Sequence, residues 1–334
     1  MARSSKSRQT IPARTSWKAS ATIFLGFVVL IWAICPHVFT PKPTDLSTGS
    51  PGPRGQPPRY AFATILTRRS DLEYPDVKTP YLQATRLLSF QLLRNPRTRT
   101  KIPNAQLIIL VTSEIPESDR DILRRDGALV IPVETLPFSE KYKDVPVPVG
   151  LNIWQLSEYD KVLYLDPTSV VLDPLDDIFE DTTTTIIQMT IDAQDHLPQS
   201  YMMAGWNQRY VDSKLSDGGV RRDKIENLNA MSTGFFVTHP SSDMFEYYIR
   251  LLHSMEQSSF DHLTQSILNY AHRTDGPMPW RSIGPGWSMT GPSRWDIENG
   301  LRSINHAWWR PAANEAVQGR IEETMDEMAA YLNH

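Results

Sequence analysis

The chain is almost without cysteine. Of its 334 residues one, Cys35, is a thiol, so no intramolecular disulfide can form and no cysteine-based metal centre can be built. Asn-X-Ser/Thr acceptor triplets are missing as well, which removes N-linked glycans from the account. Stability has to come from a packed core, and about 275 residues beyond the amino-terminal segments suffice for one. Positive charge is scarce outside the first twenty residues. These carry five basic residues and no acid, leaving 29 basic against 38 acidic residues in the remainder. A domain of that balance does not read as a nucleic-acid binder. Long apolar runs are also few. The one of membrane size is Ala21 to Cys35, extending less purely to Phe39.

What is there falls into zones. Arg3, Lys6, Arg8, Arg14 and Lys18 precede the apolar run, and at about 1.5 Å per residue that run spans roughly 22 to 28 Å, which suits a thin early-secretory membrane. Ala33 and Cys35 would fit a signal-peptide cleavage site, whereas Pro36 and the long basic leader favour an uncleaved anchor. Positive residues stay cytoplasmic. Residues 1–20 are therefore expected to be a cytoplasmic tail and 21–39 a transmembrane signal anchor. Residues 40–58, with six prolines and three glycines, read as a stem. Residues 59–334 are expected to form a lumenal domain in the Golgi or the endoplasmic reticulum.

Within that domain, strand patterns at Arg59–Thr67, Ala105–Thr112 and Gly127–Val133 alternate with helix patterns at Tyr81–Arg94 and Glu117–Arg125. The alternation marks an α/β fold with a mainly parallel sheet. Glu134–Gly150 reads as a loop, Leu151–Leu156 as a short helix, and Lys161–Asp166 as a buried strand ending in a carboxylate. Further strands are predicted at Thr184–Thr190 and Met231–Thr238, and Asp192–Asn227 has no assignable pattern. Asp243 with Glu246 suggests a capping box for a helix through Met255. Asp261–His272 and Ala312–Leu332 read as helices, the second packing through Ile321, Met325, Met328 and Leu332. Five of the nine tryptophans fall within Pro277–Pro311, where rings can stack on sugars or fill the core beneath loops. In a parallel sheet, ligands sit beyond the carboxyl ends of the strands. Asp166 is then a candidate ligand for a divalent cation, or a plain turn residue.

From Tyr60 to Pro311 the chain resembles glycosyltransferase family 8, the glycogenin-like transferases. The most specific stretch is Ser157-Glu-Tyr-Asp-Lys-Val-Leu-Tyr-Leu-Asp166 followed by Val171-Leu-Asp-Pro-Leu-Asp-Asp-Ile-Phe179. That resemblance implies a GT-A nucleotide-diphospho-sugar transferase fold, a single mainly parallel sheet flanked by helices. It implies a UDP-sugar donor, a glycan acceptor, a manganese ion (Mn2+) and a retaining outcome. Carried onto this sequence, it puts Thr67 and Tyr81 at the nucleotide, Asp166 and Thr168 at the Asp-X-Asp position, and Asp166 with His306 on the metal. Ser232, Thr233 and Gly234 would bind the sugar, with Gln265 and Asp261 as the catalytic pair. The sequence departs from the family at several of these places. Thr168 replaces the second carboxylate, Gly150 falls near the expected lysine, Thr264-Gln265 stands for Asp-Gln, and the terminal motif is shortened to His306-Ala-Trp-Trp-Arg310-Pro311.

Three functions fit these residues. One is a membrane-anchored glycosyltransferase, possible in complex with others of its kind. A second is a catalytically silent member that binds glycan or scaffolds an active enzyme. The third is a hydrolase using Asp166 with Asp173 or Asp261.

Overall fold

The computed structural model describes residues 58–68, 80–134, 148–189, 197–207, 230–254, 263–284, 286–310, 312 and 314–333. All of them belong to the unit Pro51–His334. The tail, anchor and stem expected before residue 58, and Asp261, lie outside the described residues. Among the described residues no helix is long and apolar enough to cross a membrane.

The order of elements opens as expected: β1 (Tyr60–Leu66), α1 (Pro80–Leu93), β2 (Gln106–Val111), α2 (Glu117–Arg125), β3 (Leu129–Pro132) and β4 (Lys161–Leu165). Then come β5 (Ser169–Val171), β6 (Ile187–Gln188), β7 (Ser200–Tyr201), β8 (Met203–Asn207) and β9 (Met231–Thr238). The chain closes with α3 (Ser242–Ser254), α4 (Leu263–Ala271), β10 (Arg281–Ser282), α5 (Arg294–Glu298), β11 (Ser303–Asn305) and α6 (Glu315–Leu332). Seven strands form the main sheet in the order β10-β8-β9-β4-β1-β2-β3. The fold is α/β, and the pairs β1–β2, β1–β4, β2–β3 and β8–β10 are parallel. Only β9 runs against its two neighbours, β4 and β8. Two small ribbons, β11–β5 and β6–β7, stand apart from this sheet.

Both faces of the sheet are covered, which is why its central strands are apolar throughout rather than alternating. Phe62 and Leu66 of β1 face a core with Leu88 and Leu92 of α1, while Ala61 and Ala63 face the other core with Trp154, Tyr248, Ile267 and Leu268. The small side chains on the second face leave room for Trp154, which stacks on Phe236 and meets Tyr248 edge-on. A third core joins Val170 and Ile304 to Val317 and Ile321 of α6. That helix starts at Asn314, whose side chain accepts from the amides of Ala316 and Val317.

Several local expectations change. The unassigned region contains β7 and β8. Met-Ala-Gly-Trp-Asn has little strand propensity, and β8 exists because β9 and β10 pair with it on both sides. Its Gly205 lies against Met231, so that an added Cβ would come within 2.7 Å of that side chain. The predicted strand Thr184–Thr190 is reduced to Ile187–Gln188, because Asp181 caps a 3-10 turn at Thr182–Thr184. The short helix expected at Leu151–Leu156 is a 3-10 helix over residues 149–155. Ser241, not Asp243, caps α3, its hydroxyl accepting from the Met244 amide at 3.2 Å. On α6, Ile321 is buried, whereas Leu332 remains about half exposed.

One buried pair couples this core to pH. His272 is buried, with Nδ1 2.7 Å from the Met278 carbonyl and Nε2 2.6 Å from the Tyr248 hydroxyl. A carbonyl only accepts, so Nδ1 carries the proton and Nε2 accepts from Tyr248. Burial lowers the His272 pKa from 6.5 to about 4. The unfolded chain therefore binds the proton first as pH falls. Stability from this group is complete above about pH 6.5 and is lost on acidification through pH 4, by about 3 kcal/mol in all. Urea unfolding at a series of pH values should show this slope, and His272→Gln should remove it.

Candidate functional site

Every parallel strand of the β4–β1–β2–β3 half ends on the same side, and the antiparallel β9 begins there. The site is assembled at that edge. β4 pairs with β9 up to Leu165 and Phe235, and the amide of Asp166 extends the ladder by donating to the Gly234 carbonyl at 2.8 Å. Beyond that bond the chain turns. Asp166 Oδ1 accepts from the Thr168 amide at 2.9 Å and from the Thr168 hydroxyl at 2.6 Å, and the Asp166 carbonyl accepts from the Ser169 amide at 2.9 Å. A carboxylate binding its own backbone two residues on is an Asx turn. The turn feeds β5, which pairs with β11 so that Ser169 is opposite Asn305.

That pairing brings in the far end of the chain. The His306 amide donates to the Thr168 carbonyl at 3.3 Å, and the Thr168 hydroxyl lies 3.1 Å from Asn305 Oδ1. Asn305 also presses on Gly234, where a Cβ would come within 2.1 Å of Asn305 Nδ2. Any larger residue at 234 would have to displace the Asn305 amide. The Gly234 amide donates to Ser232 Oγ at 3.4 Å. Asp166, Thr168, Ser232, Gly234, Asn305 and His306 thus converge from three segments, with Thr233 between two of them on β9.

His306 Nε2 is 3.1 Å from the Arg310 carbonyl, so that nitrogen donates and Nδ1 keeps the lone pair. Three residues on, Trp309 is buried and meets Tyr81 edge-on at 5.0 Å. Tyr81 opens α1 and is tied by this contact to the segment carrying His306. Thr67 follows directly on β1, the strand beside β4, and is partly buried. Of the five clustered tryptophans, Trp280 and Trp309 are buried and Trp308 packs on the third core. Trp287 lies under Arg302 at 4.4 Å, and only Trp295 is strongly exposed, at 68%.

Gln265 lies on the first turn of α4. One turn later Asn269 donates to the Gln265 carbonyl at 3.0 Å, accepts from the Met231 amide at 2.7 Å and donates to the Met231 carbonyl at 3.2 Å. α4 is laced in this way to the residue before Ser232. A Cβ on Gly150 would come within 2.7 Å of Thr264 Cγ2, so Gly150, near which the resemblance expects a lysine, and Thr264, where it expects an aspartate, are in contact. Asp173, the other carboxylate weighed for hydrolysis, is on the exposed turn beyond β5, where its amide donates to the Arg302 carbonyl.

As a cation site this donor set is weak. Asp166 is its one carboxylate, Thr168 and Asn305 offer neutral oxygens, and His306 offers one nitrogen. Among the described residues no three His, Cys, Asp or Glu side chains converge, whereas hard divalent ions favour about six ligands, several of them carboxylate oxygens. The described residues do not fit a resident divalent ion. Asn305 was not flagged by any motif. Its only sequence signal is its place before His306.

No protein-family model matches the chain. An uncharacterized protein of Schizosaccharomyces pombe is 23% identical over 294 residues, 78% of this chain and 76% of that one. Galactinol synthase 4 of Arabidopsis thaliana is 26% identical over 130 residues, 37% of this chain and 34% of the synthase. Among solved structures, the apo form of the glycosyltransferase GlyE of Streptococcus pneumoniae TIGR4 has a TM-score of 0.47 at 14% identity, over 80% of this chain and 60% of that one. An active-site mutant of LgtC has a TM-score of 0.45 at 13% identity, over 80% and 95%.

The Gly234 contact makes a sharp expectation. Gly234→Ala should displace Asn305 and cost about 1–3 kcal/mol in thermal unfolding, while Ser232→Ala, which removes only the 3.4 Å contact, should cost less.

Proposed function

We propose that the protein is a glycosyltransferase that moves a sugar from a nucleotide-sugar donor, UDP-linked, to a glycan acceptor. The observation that carries the reading is the convergence of Asp166, Thr168, Ser232, Gly234, Asn305 and His306 at the carboxyl edge of a mainly parallel sheet, beside the Tyr81–Trp309 pair. Ligands of α/β proteins collect at that edge. The partial likeness to galactinol synthase 4 supports it.

In this reading Thr67 and Tyr81 border the base, with the aromatic pair as an apolar wall. Asp166 spends Oδ1 on Thr168, and its Oδ2, which makes no hydrogen bond among the described residues, accepts from a donor hydroxyl. Ser232, Thr233 and Gly234 line the sugar, Gln265 of α4 approaches its reacting carbon, and Asp261, outside the described residues, is its catalytic companion by resemblance. A retaining outcome follows from the family resemblance. The basic leader and the apolar run that follows support a type II arrangement, with residues 21–39 in a Golgi or endoplasmic reticulum membrane, 40–58 as stem and the domain lumenal. Association with other transferases belongs to the same reading.

A second reading, a silent fold that binds glycan or scaffolds an enzyme, is favoured by one observation: Thr168 stands where the resemblance asks for a second carboxylate and is turned onto Asp166. UDP release from a panel of UDP-sugars, with and without glycan acceptors, separates the two. Acceptor-dependent release is the expected result. Asp166→Asn keeps an acceptor for Thr168 but removes the charge, and should lower the rate by about tenfold to a hundredfold while the chain stays folded. Silence with every donor would favour the second reading.

A further inference from the structure

We propose that Thr168 and Asn305 together stand in for a second metal-binding carboxylate, so that this site takes a nucleoside diphosphate without a resident divalent cation. The identity of the ligand rests on the glycosyl-transfer reading. The cation half does not, and can be tested with no ligand present.

The argument starts from proton counting. The Thr168 hydroxyl has one hydrogen and two oxygens within reach, Asp166 Oδ1 at 2.6 Å and Asn305 Oδ1 at 3.1 Å. The contact with the carboxylate is shorter and charge-assisted, so the proton goes there. The Thr168 oxygen is then left to accept, a need met when the Asn305 amide is turned over to present its nitrogen. The result is a directed chain, amide to hydroxyl to carboxylate, that meets the Asp166 charge with fixed dipoles. A cation would supply the same compensation.

Geometry keeps the chain closed. Asn305 is wedged over Gly234, in space where even a Cβ would collide, and β11 is held to β5 at Asn305 itself. Thr168 is buried, with its amide also committed to Asp166. Thr168 cannot swing aside to make room for an ion without breaking the turn, and Asn305 rests on its hydroxyl. His306, the remaining ligand type, is held through Nε2 by the Arg310 carbonyl. One carboxylate and one imidazole do not fill the shell of a hard divalent ion. The phosphate charge then falls to guanidinium groups on bordering segments: Arg68, exposed one residue beyond Thr67, and Arg310. Planar guanidinium suits phosphate oxygens.

The test is a manganese titration of the full chain, followed by the spectrum of the free aqueous ion in electron paramagnetic resonance. The wild-type protein without nucleotide should leave Mn2+ free up to about 1 mM. Thr168→Asp should bind it at least about tenfold more tightly. Asn305→Asp, which adds the carboxylate from the other strand, should do the same and serves if Thr168→Asp does not fold. Calorimetry with UDP should give wild-type affinities within about twofold in EDTA and in Mn2+. Wild-type binding of Mn2+ below about 100 µM without nucleotide, folded carboxylate variants that gain nothing, or UDP binding lost in EDTA would each overturn the proposal. A chain that bound no UDP under either condition would count against the transfer reading instead, and the manganese titration alone would then decide the cation question.

Discussion

The antiparallel pairing of β9 with β4 is the constraint on which the site depends. It sets the Gly234 carbonyl on the Asp166 amide and so decides which β9 residue faces Asn305. A slip of one residue would replace the glycine with Thr233, whose side chain has no room beside the Asn305 amide. With the register kept, the turn at Asp166 to Thr168 is braced from both sides. β9 holds it through the backbone, and β11 holds it through the Asn305 amide and the His306 backbone.

That register is held by packing far from the site. β9 carries Phe235 and Val237 into one core and Phe236 into the other, so its alternation is fixed by two buried faces at once. The 3-10 helix at residues 149–155, α3 and α4 then close over Phe236 through Trp154 and Tyr248. On the far edge, β10 pairs parallel with β8, which returns the chain to the carboxyl edge and launches the segment carrying Ser288 to Arg310 across it. α6 seals that segment by packing Val317 and Ile321 on Val170 and Ile304. The site is thus framed by elements from both ends of the domain.

Compensation runs through the site. Where the family resemblance asks for a lysine and an aspartate, Gly150 and Thr264 touch. At the place of a second acidic ligand, a hydroxyl and an amide bind each other and the remaining acid. In both places the groups that meet are neutral or are hydrogen-bonded to the one acid, so no buried ion is stranded. Residues far apart along the chain are thereby paired in space.

The early strands and helices were legible in the sequence because they are long, strongly patterned and closed by local signals: the apolar runs of β1, β2 and β4, and Asn95-Pro96 at the end of α1. Asp166 could be identified from the strand that ends in it, and the resemblance pointed to His306, whose amide donates to the Thr168 carbonyl. β8 could not, since its residues have no strand preference of their own and depend on pairing with neighbours 24 to 35 and 77 residues away. Nor could Asn305, or the contact between Gly150 and Thr264, because periodicity speaks of which face a residue takes and says nothing of what lies opposite. By itself the sequence determined the sheet, its parallel half and the edge at which the carboxylate emerges, all through local burial patterns. Only the tertiary structure decided that this carboxylate is met by a hydroxyl and an amide, since that is set by the register of β9 on β4 and of β11 on β5, between segments far apart in the chain.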